Sequence, residues 1–316
     1  MAIKQKSLGM NFTLLFRYSY REATPRLLSV VVLCFICLIG YSDKANGETL
    51  TKDEPYAILQ DRLIRDGFER SHIRSLYSRP EMTLDQRALA AYFSHREATL
   101  NYDQFLARSS IDRTIDYLGR HQKALKQAQS LYGVEEEVIS AIILVESRLG
   151  TFIGKHLVLN TLSTLAALDD KDCRDMLWNA YAKQKSPGSR KKFETWARRK
   201  STWAYGELKA FLQYIEDQKV DPYSIRGSYA GALGIAQFMP SSLLKFAQDG
   251  NRDGQINLFQ HADAIESIAN YLKQHGWRPG LKRHEAFRIL LRYNHSKYYA
   301  DTILKVAERL GKLRPR

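Results

Sequence analysis

Beyond Tyr56, apolar residues recur three and four positions apart through most of the chain, the spacing that gives a helix one buried face. Ile58, Leu59, Leu63 and Ile64 mark one such helix, and Leu118, Leu125, Ala128 and Leu131 mark another. Further helical stretches are expected at about residues 158–168, 203–217, 240–248, 262–275 and 298–310. Alternating strand patterns are sparse, and there is no internal repeat or low-complexity tract. The pattern therefore predicts a mainly α fold with very little β. With 316 residues the chain has enough length for one large domain or two closely packed lobes.

One helical stretch differs from the rest. Val138-Ile139-Ser140-Ala141-Ile142-Ile143-Leu144-Val145-Glu146-Ser147 is apolar almost throughout, and Glu146 is its single charge. Gly133 precedes the run and Gly150 follows it, as helix boundaries often show. At helical spacing Glu146 shares a stripe with Ile139, Ile142 and Ile143, so its carboxyl group is aimed toward apolar packing. Desolvation disfavours the ionised form of such a group and raises its pKa, which is how a protein keeps a proton ready for a leaving oxygen. The structural alternative is a core stripe ending in an ion pair, with Arg148 as the nearest partner.

The amino terminus adds a different signal. Residues 27–40 are uncharged and apolar, and they follow a segment with five basic side chains and one acid. Residues 1–42 thus read as an export signal peptide or an uncleaved membrane anchor, and residues 43–54 as a polar linker to a domain spanning 55–316. Basic residues ahead of the apolar run predict that everything behind it is translocated. Of the formal net charge of +14, +10 lies beyond residue 26. An anionic partner follows from that balance, and translocation argues against nucleic acid. Eight basic residues fall between Lys183 and Trp203. They read as a solvated face or loop, with Arg198 and Arg199 the candidates for contact with a polyanion. Beyond the apolar run Cys173 is the one cysteine, which excludes an intrachain disulfide or a cysteine-based metal site there.

Three further blocks carry chemistry. Gly227-Ser-Tyr-Ala-Gly-Ala-Leu-Gly-Ile-Ala-Gln-Phe-Met-Pro-Ser-Ser242 sets the amide of Gln237 beside the ring of Phe238, a pairing suited to sugars, and it reads equally as a tight packing turn. Asp249, Asn251 and Asp253 stand at positions 1, 3 and 5 of a calcium-type loop with Gly254 at 6 and the Gln255 carbonyl at 7. Gln260 replaces the usual glutamate at position 12, and Asp263 is placed to close the site instead; a plain polar turn is the other reading. Tyr293-Asn294 offers a second aromatic and amide pair near the carboxyl end.

In order and spacing these blocks resemble the membrane-bound lytic murein transglycosylase B family. The resemblance runs from about residue 55 to 312 and includes Asn270-Tyr-Leu-Lys-Gln-His-Gly-Trp277. It implies a lysozyme-like helical core with an additional N-terminal helical region, a periplasmic location, and peptidoglycan glycan strands as the partner. Glu146 matches the catalytic glutamate, and Ser228, Gln237, Phe238, Tyr293 and Asn294 match groups around the glycan, with Tyr271 a further cleft aromatic. A structural Ca2+ would be held by Asp249, Asn251, Asp253, Gln255 and Asp263, and no organic cofactor is implied. The membrane would be met only through an uncleaved N-terminal segment. Two departures stand out: the link from Trp277 to Arg292 is too short for the β-containing lobe of some relatives, and residues 168–196 carry extra basic sequence.

The implied reaction uses one carboxyl group twice, as acid toward the glycosidic oxygen between N-acetylmuramic acid and N-acetylglucosamine, then as base toward the muramoyl C6 hydroxyl, leaving a 1,6-anhydro end. Ordinary glycosidases need two carboxylates, about 5–5.5 Å or about 6.5–9.5 Å apart. No second acid lies within two helical turns after Glu146 or inside the Gly227–Ser242 block. The competing expectations are a lysozyme-like hydrolase that uses water and a non-catalytic peptidoglycan-binding protein.

Overall fold

The computed structural model describes residues 55–95, 101–182 and 189–313, so the proposed signal or anchor, the whole linker, and Lys183 and Lys185 lie outside the described residues. Helices α1 (Ala57–Arg65), α2 (Arg70–Tyr77) and α3 (Gln86–Ser94) come first, followed by α4 (Asp103–Leu106), α5 (Arg108–Arg120) and α6 (Gln122–Tyr132). Then come α7 (Glu136–Ser147), the short strand β1 (His156–Leu157), α8 (Val158–Ala167), α9 (Lys171–Ala182) and α10 (Arg190–Gln218). Strand β2 (Arg226–Gly227) precedes α11 (Pro240–Phe246), α12 (His261–Gln274), α13 (Arg283–Tyr293) and α14 (Lys297–Leu313). The two strands pair antiparallel, His156 with Gly227 and Leu157 with Arg226.

Helix α7 is the buried axis of this arrangement, packed against α5, α6, α12 and α14. Val138, Ile139, Ala141, Ile142, Ile143 and Leu144 are all inside, which is why this run shows no polar face. Each buried Ile or Leu contributes about 1.5–3 kcal/mol relative to exposure. Polar elements wrap this axis and are fixed by local caps. The Glu69 carboxylate accepts from the Ser71 and His72 amides at the start of α2. Likewise, Asp85 accepts from the Ala88 amide at the start of α3.

Three sequence expectations need correction. The helix expected through Leu118–Leu131 is two helices that meet at His121, whose backbone (φ −109°, ψ 18°) departs from helical values. Ile58 and Leu131 are 58% and 55% exposed, so the stripes they seemed to extend end at their neighbours. The helix expected from residue 203 begins at Arg190. Its basic residues alternate with Phe193, Trp196 and Ala197, which pack against the core, so part of the basic stretch is the outer face of a long helix.

Candidate active site

Helix α7 stops abruptly. Arg148 (φ +50°) and Leu149 (φ +63°) are both left-handed, ahead of Gly150 (φ +84°). A left-handed conformation costs an L-residue about 1–2 kcal/mol. The turn is held by Arg148 N–H to the Leu144 carbonyl (3.0 Å), Leu149 N–H to Ile143 (3.1 Å), and the Ser147 hydroxyl accepting from Gly150 N–H (3.1 Å). The stop falls before the glycine that announces it. As a result Glu146 sits half-buried in the last turn of a buried helix. The Arg148 guanidinium, the nearest ion-pair candidate in the sequence, donates to Gln104 Oε1 at 3.3 Å.

Around Glu146 stands a wall of tyrosines. Tyr293 ends α13 and donates its hydroxyl to the Ala236 carbonyl at 2.6 Å. Tyr299, in the first turn of α14, stacks on it with ring centroids 6.2 Å apart. Burial, and then the charge of Glu146, hold both phenols well above their ordinary pKa. They therefore remain protonated and neutral throughout the physiological range. The Tyr299 hydroxyl makes no hydrogen bond of normal geometry, yet the Glu146 carboxyl lies near enough to act on it as a polar partner. Behind Tyr293 are Tyr271 (4.9 Å) and Phe238 (5.8 Å), and Tyr271 donates to the Arg292 carbonyl. Phe238 is only 3% exposed, so it serves as the floor under Tyr293 and offers little open ring face.

The Gly227–Ser242 block folds over this wall. Gly234 (φ +72°) lies so close to Leu258 that a Cβ there would be 2.5 Å from the Leu258 Cβ, and the adjacent Ile235 N–H donates to the Leu258 carbonyl. Gln237 is left-handed at φ +49°, a strained state for a side chain of its size. Its amide nitrogen donates to the Ile153 and Gly234 carbonyls (3.2 and 2.8 Å), which ties the block to the loop leaving Glu146. The Ser228 hydroxyl accepts from the Ala230 and Ala232 amides, and Asn294 Oδ1 accepts from Ser296 N–H. Thus the structure gathers Glu146, Gln237, Phe238, Tyr271 and Tyr293, with Asn294 adjoining. Ser228 organises the turn beside β2. Tyr299 went unread because α13 and α14 break at Asn294–Ser296, so no single helical register connects it to Tyr293.

The loop from Asp249 to Asp263 is a separate polar structure. Asp249 accepts from the Asp253 and Gly254 amides, Asn251 Oδ1 from Asp253 N–H, and Asp253 from Gln255 N–H. The Asn251 amide nitrogen lies 2.8 Å from Asp253 Oδ2 and 2.6 Å from Gln260 Oε1. Asp263 is fully buried and accepts from the Gly250, Asn251 and Asn257 amides (3.0, 3.3 and 2.8 Å). Burial raises its carboxyl pKa against the pull of those three donors, whereas the Gln255 amide lowers that of the exposed Asp253. Among the described residues no three His, Cys, Asp or Glu side chains converge as a metal cluster. The donors here are oxygens of mixed type, which suits calcium and not zinc.

A family model described as "Transglycosylase SLT domain" matches residues 51–285. The chain belongs to this family. It is 35% identical over 177 residues to membrane-bound lytic murein transglycosylase B of Escherichia coli K12, a stretch that covers 56% of this chain and 41% of that protein. The matched region therefore spans less than half of that relative's length. The soluble lytic transglycosylase SltB1 from Pseudomonas aeruginosa superposes with a TM-score of 0.66 at 26% identity, covering 81% of this chain and 98% of that one. The Escherichia coli lytic transglycosylase Slt35, solved in complex with calcium, gives a TM-score of 0.64 at 25% identity over 82% and 93% of the two chains. The mainly α, lysozyme-like architecture read from the sequence is the fold of this family.

Proposed function

We propose that this protein is a peptidoglycan lytic transglycosylase with Glu146 as its catalytic acid and base. The observation that carries this reading is the placement of a single half-buried carboxyl group at the end of a buried helix, beside two tyrosines held neutral. In the proposed step Glu146 gives its proton to the glycosidic oxygen and the bond from that oxygen to the muramoyl anomeric carbon breaks. The C6 hydroxyl oxygen of the same sugar then bonds to that carbon, and its proton passes to the Glu146 carboxylate. The acid is regenerated and no water is consumed. Gln237, Tyr293 and Asn294 line the glycan in this reading, Phe238 and Tyr271 support them from behind, and Ser228 orders the turn beside them.

Support for a single-carboxylate scheme comes from the geometry of α7. The acids of its first turn, Glu136 and Glu137, are nine or ten residues from Glu146, about 14–15 Å along the axis, too far to act on the same bond. Digestion of purified sacculi with mass spectrometry of the products tests the proposal. Anhydro-muramoyl ends support it. Reducing ends would assign a hydrolase, and binding without products would assign a peptidoglycan-binding protein.

The Asp249, Asn251 and Asp253 side chains, the Gln255 carbonyl and Asp263 would hold a calcium ion, which when bound would cross-link the loop to α12. In the same reading residues 1–42 direct export to the periplasm or anchor the chain in the inner membrane, residues 43–54 form a linker, and residues 55–316 form the transglycosylase domain. Among the described residues no helix is long and apolar enough to cross a membrane, so an anchor would rest on the amino-terminal segment.

A further inference from the structure

Beside the two-stranded ribbon, lined by its residues His156, Leu157 and Arg226, lies an open cavity of about 570 Å³, within the range of ligand sites. None of Glu146, Gln237, Phe238, Tyr271 or Tyr293 lines it. Its walls carry the exposed cations Arg87, Lys155 and Arg226. Among the described residues none of these three forms an ion pair, although Arg226 donates to the Lys155 carbonyl at 3.0 Å. Asp85 is the one carboxylate in the lining, and it is engaged internally. It accepts from His156 Nδ1 (2.8 Å) and caps α3 through the Ala88 amide. A carboxylate only accepts, so His156 Nδ1 carries a proton, and Nε2 makes no hydrogen bond among the described residues. Asn160 is 4% exposed and gives its amide hydrogens to the Glu81 carbonyl and the Thr83 hydroxyl, while its Oδ1 has no donor. An orphaned buried acceptor in a cavity wall asks for an N–H or O–H partner.

We propose that this cavity binds the peptide stem of peptidoglycan, with Arg87, Lys155 and Arg226 taking its carboxylates and His156 and Asn160 taking its amide hydrogens. The inference rests on the glycan-cleaving reading above. Reach supports it. Lys155 is two residues beyond Ile153, whose carbonyl holds Gln237, so the cavity begins at most about 7 Å along the chain from that contact, the reach of two fully extended residues. A stem of a few residues, extended at about 3.3–3.6 Å each, spans that distance from a muramoyl ring in the cleft. The junction is also tight. Gly154 (φ +94°) passes so close to Gly227 that a Cβ would sit 2.0 Å from the Gly227 carbonyl oxygen, so cleft and cavity are held in fixed relation.

The test compares wild type with an Arg87→Ala/Lys155→Ala double variant, since neither side chain makes a hydrogen bond among the described residues and their loss spares the fold. Turnover is measured on intact sacculi and on glycan strands stripped of their peptides by an amidase. Binding of the amidase-released stem peptide alone is measured by calorimetry. Because exposed charge pairs are individually weak, the double variant is expected to lose about 5–10-fold in kcat/KM on sacculi, mainly through KM, with no change on stripped strands. Stem-peptide binding should weaken in parallel. A Lys191→Ala/Lys192→Ala variant removes the same charge on α10 and should leave both ratios unchanged. Equal losses in the two double variants, or a wild-type protein that does not bind the free stem, would overturn the proposal. Failure of wild type to cleave either substrate would instead overturn the catalytic reading, and the calorimetry would still decide the cavity.

Discussion

Glu146 and Asp263 are both carboxylic acids on or beside buried helices, and the protein sets them in different surroundings. Asp263 is fully enclosed and receives three backbone N–H groups, so its surroundings supply the hydrogen-bond donors that stabilise a negative charge. Glu146 is half-buried, ends an apolar helix, and faces the phenols of Tyr293 and Tyr299. Burial raises the Asp263 carboxyl pKa, while its three donors pull against that rise and tie the loop to α12. In the proposed reaction Glu146 is the carboxyl group that exchanges a proton. Residue type alone does not separate these settings, which differ in burial and in the element that presents each carboxyl group.

The largest effect expected from breaking this contrast is on Glu146→Gln. The amide keeps the shape and has no acidic proton, so glycan cleavage should fall by about 10²–10⁴-fold in a muropeptide release assay while sacculus binding persists. Equal turnover would end the catalytic claim. Asp263→Asn tests the other side. It replaces an acceptor-only group by one that must point hydrogens at backbone N–H donors. A loss of about 2–3 kcal/mol is expected, lowering Tm in a thermal melt by about 5–10 °C together with any calcium affinity. If Asp263 behaved like a surface residue, the melt would not move.

Calcium removal should act on the same loop without touching Glu146. A ligand present at 100 times its Kd stabilises the fold by about 2.7 kcal/mol, so a chelator should lower Tm while residual activity below the transition is retained. An unchanged melt, with no metal found by elemental analysis, would remove the site. The smallest effect is expected from Tyr299→Phe, which keeps the ring and deletes one polar neighbour of Glu146. A fall of about 3–10-fold in kcat with KM unchanged would place the hydroxyl in the proton-transfer step. No change in kcat would leave Tyr299 as packing alone.

Much of this was legible in the sequence, for physical reasons that differ by element. Helix α7 announced itself because an element buried on every side has no polar face to preserve. Glu146 stood out as the exception within it. Gln237, Phe238 and Tyr293 were visible through their glycine-rich and aromatic settings. The short outer helices α2 and α13 were not expected, because their ends are fixed by the side chains of Glu69 and Glu285 while their sequences are rich in charge. The early stop of α7 was hidden because Arg148 and Leu149 are residue types that rarely turn left-handed, and the tertiary packing around them overrides that preference. The cationic cavity was invisible for a topological reason. Arg87, Lys155 and Arg226 belong to three distant segments that meet only when β1 pairs with β2.

The turn after Glu146 spends no residue on slack. From that carboxyl group to Lys155 and His156 the backbone runs through one tight bend and one anchored carbonyl, so the interval between the bond to be cut and the proposed peptide seat is a covalent ruler. Lengthening or shortening it by a single amino acid would shift one end against the other. An enzyme redesigned to accept a different cross-link chemistry would therefore have to change the lining of the seat and leave the ruler untouched.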